Sequence, residues 1–265
     1  MDARHRRVSA TTVIERVVLL TLTLALMPAL PVPLGAQTPR EIMDRVDRLM
    51  RGESSHGRVE MQIETEHWAR SLEMEVWSLG TDHSLVRVTA PPREAGTATL
   101  KADQEVWNYL PRVDRTIKVP PSLMMGSWMG SHFTNDDLVK ESRIIDDYEI
   151  EESFDGIRDG VAVWEFHLTP HPDAAVVWGY IEWQVRQNDL MPVWVRYFDE
   201  DGAAVRTLTF SDYKVMDGRL VPGVMLVVPT DKPQESTRMI YHELEFGLDL
   251  TEDFFSLRNL RARNR

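Results

Sequence analysis

The sequence predicts a mainly β protein built on one large, curved antiparallel sheet, and three observations carry that prediction. Apolar and polar residues alternate with a period of two along most of the chain, as where Val59, Met61 and Ile63 are interleaved with Glu60, Gln62 and Glu64. More than ten such segments crowd into about 190 residues without helical patterns between them, which argues against βαβ units. Asp-Gly pairs at 155–156, 159–160, 201–202 and 217–218 supply turns. A sheet of so many strands must curl strongly or close, and a fold of this length is routinely one domain.

Residues 1–36 have the layout of a secretory signal peptide. Arg4, Arg6, Arg7 and Arg16 precede the apolar run Val17–Leu30, and Leu34-Gly35-Ala36 offers a small residue at which to cleave. The run is shorter than the roughly 20 residues of a spanning helix. Cleavage after Ala36 would leave residues 37–265 as a single domain released unanchored into the periplasm of a two-membrane bacterium.

The next element is a helix. Ile42, Met43, Val46, Leu49 and Met50 keep helical spacing, Thr38 is placed as N-cap with Pro39 in the first turn, and Gly52 ends it. Strands follow around 59–64 and 72–76. Further candidates are 82–89, 97–102, 104–110, 113–119, 145–154, 161–169, 176–187, 192–198, 204–213, 219–228 and 236–246.

One block breaks this rhythm. In Pro120–Asp137, Leu123, Met124, Met125, Trp128, Met129 and Phe133 are spaced by Gly126, Gly130 and serines, too irregular for a strand and too glycine-rich for a stable helix. Such a segment must bury its apolar groups, either as a plug of ordinary core or as a movable flap over a cavity, for which Met is well suited. After it, Asp136–Asp159 carries ten acids against Lys140, Arg143 and Arg158, and reads as a solvated edge.

Composition closes several functional classes. With no cysteine, disulfides, Cys-ligated metals, Cys nucleophiles and an N-terminal cysteine lipid anchor are excluded. The formal charge of −12 opposes nucleic-acid binding and docking on an anionic membrane surface. No G-x-S-x-G, H-E-x-x-H, P-loop or G-x-G-x-x-G motif is present. His167 and His171 have the i, i+4 spacing of a helical metal pair, but Pro170 and Pro172 forbid a helix there. No catalytic residue, metal or cofactor is assigned.

The stretch from Val106 to Ser142 resembles the signature of the outer membrane lipoprotein-sorting proteins, relatives of the LolA/LolB carriers. Tyr109-Leu110-Pro111 ends a strand, a basic strand with Arg112, Arg115 and Lys118 follows, and then Gly126-Ser127-Trp128-Met129-Gly130-Ser131-His132-Phe133-Thr134 with Asp137. Phe210-Ser211-Asp212-Tyr213-Lys214 and the closing Asp253–Leu260 continue the likeness. His132 departs from the pattern, where an acid is the expected residue.

This resemblance implies a half-open, LolA-like barrel whose concave side is covered by the N-terminal helix and by short helices or a loop. It also implies a periplasmic, non-catalytic, monomeric carrier that holds lipid or lipoprotein acyl chains in an apolar cavity. Such a carrier would pass them from an inner-membrane RND- or ABC-type exporter toward the outer membrane. The other role such a chain could fill is that of a permanent exporter adaptor that moves no cargo. Candidate cavity or flap residues are Trp77, Trp107, Tyr109, Leu123, Met124, Met125, Trp128, Met129, Phe133, Trp178 and Trp183. Alternation allows either sheet face for each strand aromatic, Trp164 included.

Overall fold

The structure, a computed structural model, describes residues 37–140, 144–174 and 176–262. The expected signal peptide at 1–36 lies outside the described residues, as do Arg143 of the acidic run and Ser142 of the signature stretch.

Helix α1 (Pro39–Arg51) opens the described chain, set by its sequence-encoded caps. Thr38 Oγ1 accepts from the Glu41 backbone N–H, the Glu41 carboxylate accepts from the Thr38 N–H at 2.8 Å, and Gly52 leaves the helix at φ 69°. Ile42, Met43 and Val46 are its buried stripe.

Thirteen strands among the described residues form one antiparallel sheet. They are β1 (Ser54–Glu64), β2 (Ala69–Leu79), β3 (His83–Ala90), β4 (Ala98–Ala102), β5 (Glu105–Leu110), β6 (Arg115–Lys118), β7 (Tyr148–Arg158), β8 (Val161–Pro170), β9 (Tyr180–Arg186), β10 (Pro192–Phe198), β11 (Ala204–Met216), β12 (Arg219–Pro229) and β13 (Ser236–Phe246). The order is β6-β5-β4-β3-β2-β1-β13-β12-β11-β10-β9-β8-β7. The chain builds outward from β1 to one edge, crosses to the opposite edge, and builds back until β13 pairs with β1. The sheet is therefore an open barrel, as predicted. Its edges, β6 and β7, are consecutive in sequence, and the segment linking them carries the Met-rich block.

Turn chemistry accounts for the tight hairpins. Asp159-Gly160 and Asp217-Gly218 have positive φ at both residues, the type I′ geometry that matches strand twist. Asp155-Gly156 is not a turn, contrary to expectation: β7 runs through it to Arg158. A Cβ at Gly156 would lie 2.8 Å from the Phe154 ring, so this glycine makes room for the ring beside it on the strand. Two other boundaries also move, since residues 144–147 form helix α3 (Ile144–Asp147) ahead of β7, and β9 begins at Tyr180 instead of 176.

Each sheet face has its own core. The inner face, on which α1 lies, buries Val59, Met61, Ile63, Leu72, Met74, Phe166, Leu168 and Ile181 together with the helix stripe. Along β3 to β5 the outer face buries Leu85, Ala98, Leu100 and Tyr109 beneath Phe255 and Leu260 of the C-terminal segment. That segment ends in α4 (Leu257–Leu260), tied down by the Arg87 guanidinium, which donates to the Asn259 carbonyl at 2.5 Å. Desolvation pushes the Arg87 pKa below its ordinary value.

Candidate functional site

The inner face is incompletely filled. Beneath the C-terminal half of α1 lies a half-open cavity of about 230 Å³, walled by Val46 and Met50 of the helix and by Val76, Trp183, Phe210 and Met225 of the sheet. Asp47 and Arg51 form an i, i+4 ion pair at 2.9 Å, and Ser55 and Ser78 share a hydrogen bond of 2.7 Å. Gly57 also borders the space, where an added Cβ would stand 2.7 Å from Leu244 Cδ2. On the β9 side, the Trp183 indole N–H is buried without an acceptor. A buried donor left unmade costs roughly 1–3 kcal/mol.

The crossover from β6 to β7 closes the open side of the sheet. Its second half is core: Trp128 is 3% exposed and Phe133 8%, both packed with the inner-face cluster. The Trp128 indole donates to Thr99 Oγ1 of β4 at 3.1 Å. Thr134 and Asp137 cap helix α2 (Asn135–Lys140) reciprocally, the Thr134 N–H donating to Asp137 and the Asp137 N–H to Thr134. Asp137 then pairs with Arg206 of β11, both side chains being 10% exposed or less.

His132, the departure from the family pattern, is a third anchor. Its backbone N–H donates to Thr237 Oγ1 at 3.0 Å, its Nδ1 lies 2.8 Å from the same oxygen, and its Nε2 lies 3.2 Å from Glu235 Oε2. A proton on Nε2, donated to the carboxylate, lets the Thr237 hydroxyl donate to Nδ1 and satisfies all three groups. That hydrogen bond lowers the Glu235 pKa below the ordinary carboxylate value.

The first half of the block is a rim. Leu123 and Met125 are 56% and 48% exposed, and Met124, partly buried, packs on Val106 and Val119. Two open clefts flank it. One of about 480 Å³ includes Leu110, Ile117, Leu123, Trp128 and Met129; the other, of about 980 Å³, has Met124 and Met125 facing Asp146, Asp147, His171 and Asp173.

The predicted site residues are thus divided. Trp183 lines the cavity, Trp178 packs on the inner-face core beside Tyr197 at 5.0 Å, and Trp128, Met129 and Phe133 lie on that same face. Leu123, Met124 and Met125 are rim residues. Trp77, Trp107 and Tyr109 do not join them: all three pack on the outer face with Phe254, Phe255 and Leu260. Alternation forces this, because Val76 and Val106 take the other face of the same strands. Residues that the sequence reading left out, Val46, Met50, Phe210, Met225 and Tyr241, supply much of the cavity wall. Val46 and Met50 were legible as part of the helix's apolar stripe, whereas Phe210, Met225 and Tyr241 lie in predicted strands whose faces the sequence left unassigned.

Comparison with known proteins agrees with this architecture. The family model that matches, described as "-like: Uncharacterized protein", covers residues 80–262. The chain belongs to that family. No curated protein matches it. Among solved structures, a putative outer membrane lipoprotein-sorting protein domain from Vibrio parahaemolyticus superposes with a TM-score of 0.74 at 23% identity, covering 84% of this chain and 98% of that one. A DUF1329 family protein from Desulfovibrio piger gives 0.76 at 21% identity, with coverages of 84% and 100%. A LolA superfamily protein from Nitrosomonas europaea gives 0.72 at 19%, again covering 84% and 100%. The fold of this family member is that of the LolA-like lipoprotein-sorting proteins, and identities this low carry the fold alone.

Proposed function

We propose that this family member is an exported, non-catalytic carrier that shelters an acyl chain of a lipid or lipoprotein in the cavity beneath α1. In this reading residues 1–36 are removed on export, and the periplasmic protein collects its cargo from an inner-membrane RND- or ABC-type exporter and moves it toward the outer membrane. The observation that supports the reading is the apolar space itself. A permanent adaptor would have no need of an unfilled interior, whereas each methylene moved from water into such a space is worth about 0.8 kcal/mol.

The volume of about 230 Å³ lies just below the roughly 300–1,000 Å³ of typical ligand pockets. Loading therefore widens it, and α1 is the element that yields, being held to the sheet by a stripe of side chains and not by a β ladder. Helix α1 is joined to α3 through Arg40, which donates to Asp146 at 2.9 Å across an exposed surface. A contact of that kind is weak and readily remade.

The test is extraction of natively purified protein for lipid mass spectrometry, together with displacement of an apolar fluorescent probe by fatty acid or phospholipid. Co-purified acyl lipid and displacement are expected. Neither being seen would overturn the carrier reading.

A further inference from the structure

We propose that the β5–β6 edge of the sheet is a docking lip for an anionic lipid bilayer. The proposal deepens the carrier reading, since it names the surface through which such a carrier would meet a membrane. It rests on where exposed apolar and cationic side chains coincide.

Exposed aliphatic groups gather at this edge. Leu110 is 38% exposed, Ile117 44% and Val113, at the tip of the β5–β6 turn, 63%. Leu110 and Ile117 share one groove with Val119, Pro120 and Leu123 of the rim, so the apolar surface is continuous from the hairpin into the block. Patches of this kind on a soluble face mark contact surfaces.

Cations border the same surface in a chain whose net charge is −12. Arg112 lies in the turn beside Val113, and Arg115 stands opposite Leu110 in the β5–β6 register, both exposed. On the other face of the hairpin, where Thr116 stands opposite Tyr109, the Arg261 Nε of the C-terminal segment donates to Thr116 Oγ1 at 2.9 Å. The turn also carries an acid, Asp114, which accepts from the Tyr109 hydroxyl at 2.9 Å and offsets one of these charges. At the opposite edge, β7 presents Glu149, Glu151, Glu152 and Asp155. The cationic character is local to the turn end of the hairpin, since at its other end Lys118 is paired with Glu105 and shares a cleft with Asp136, Asp146, Asp147 and Asp173, and it is the turn end that an anionic surface attracts. Aliphatic groups among arginines are the combination that adsorbs to anionic bilayers by shallow insertion plus headgroup attraction. Pairing of β6 with the acidic β7 of a second copy would satisfy the same charges. However, β6 spans only Arg115–Lys118, so such pairing would add few ladder hydrogen bonds.

The test is flotation of the natively purified protein with phosphatidylcholine vesicles, with and without phosphatidylglycerol. Binding is expected only with phosphatidylglycerol, weakening as salt rises. Each arginine neutralised should cost about fivefold, so Arg112→Gln with Arg115→Gln should lose about 25-fold. Val113→Asp should also weaken binding, and thermal melting should show all variants folded, since these side chains are exposed. No binding to the anionic vesicles, or equal binding by the double variant, overturns the proposal. So does self-association that the same variants abolish in the absence of vesicle binding, which would assign the edge to a second copy. Probe loading in vesicle-free solution is measured in parallel. If loading fails while flotation succeeds, the carrier reading falls and the docking lip stands.

Discussion

The Arg206 guanidinium grips the Asp137 carboxylate through both terminal nitrogens, at 2.7 and 2.5 Å, and so fastens the block between the sheet edges to β11. The same guanidinium lies over the Tyr197 and Trp178 rings at 4.4 and 4.7 Å and donates to the His132 carbonyl at 3.1 Å. A buried pair held this way is a poor source of net stability but a costly one to break.

Removing one partner leaves the other buried without compensation. Arg206→Ala should therefore destabilise the protein by about 3–5 kcal/mol, read as a fall in the urea midpoint. Arg206→Met with Asp137→Leu should cost less than Arg206→Ala alone, because neither charge is then stranded.

The two halves of the block should respond differently to substitution. Trp128→Ala removes a buried ring and should cost about 3–5 kcal/mol. Leu123→Asp and Met125→Asp change exposed side chains and should stay within about 0.5 kcal/mol. Thermal melts of the three variants check this, and equal destabilisation by all three would contradict the division into anchor and rim.

Trp183→Phe keeps the cavity wall and deletes the unpaired donor. Because that donor has no surface open to the cavity, fatty acid, acyl ester and plain hydrocarbon should all bind within about twofold of wild type, the hydrogen bond of a ligand to it being absent. Competitive probe displacement by each ligand measures the difference.

Acid should loosen the His132 anchor. The Glu235 pKa is depressed in the folded protein because its carboxylate accepts from His132, so its contribution to stability is complete above the ordinary value of 4.5 and is lost as pH falls through the lower folded value. Wild type should therefore lose more stability between pH 7 and pH 3 than Glu235→Gln does. Urea midpoints at the two pH values check this.

Much of the fold was legible because it rests on local rules. Thirteen strands answer to candidate segments bounded by turn residues, near-regular alternation in β1 giving way to continuous burial in β3 and β4; the ends of α1 answer to Thr38, Pro39 and Gly52, and the tight hairpins to Asp-Gly pairs. Asp155-Gly156 misled because the same dipeptide serves inside β7, where Phe154 needs a neighbour without a side chain. The block was legible as an irregular apolar segment, but its division was not, since Trp128 and Met125 look equally suited to burial. Nor was the partner of His132: the acid it bonds comes from Glu235, far away in sequence.

The sequence by itself determined that this chain is a long antiparallel sheet opened by one helix and interrupted by one apolar block, because hydrophobic period, caps and turns act over a few residues. Only the tertiary structure decided which face each aromatic serves. Alternation fixes that Trp77 and Val76 point opposite ways, but which direction is inward depends on α1 covering one face and residues 254–260 the other. The cavity beneath α1 depends on the same packing, since an unfilled space arises from how distant elements fail to meet, and no local pattern encodes it.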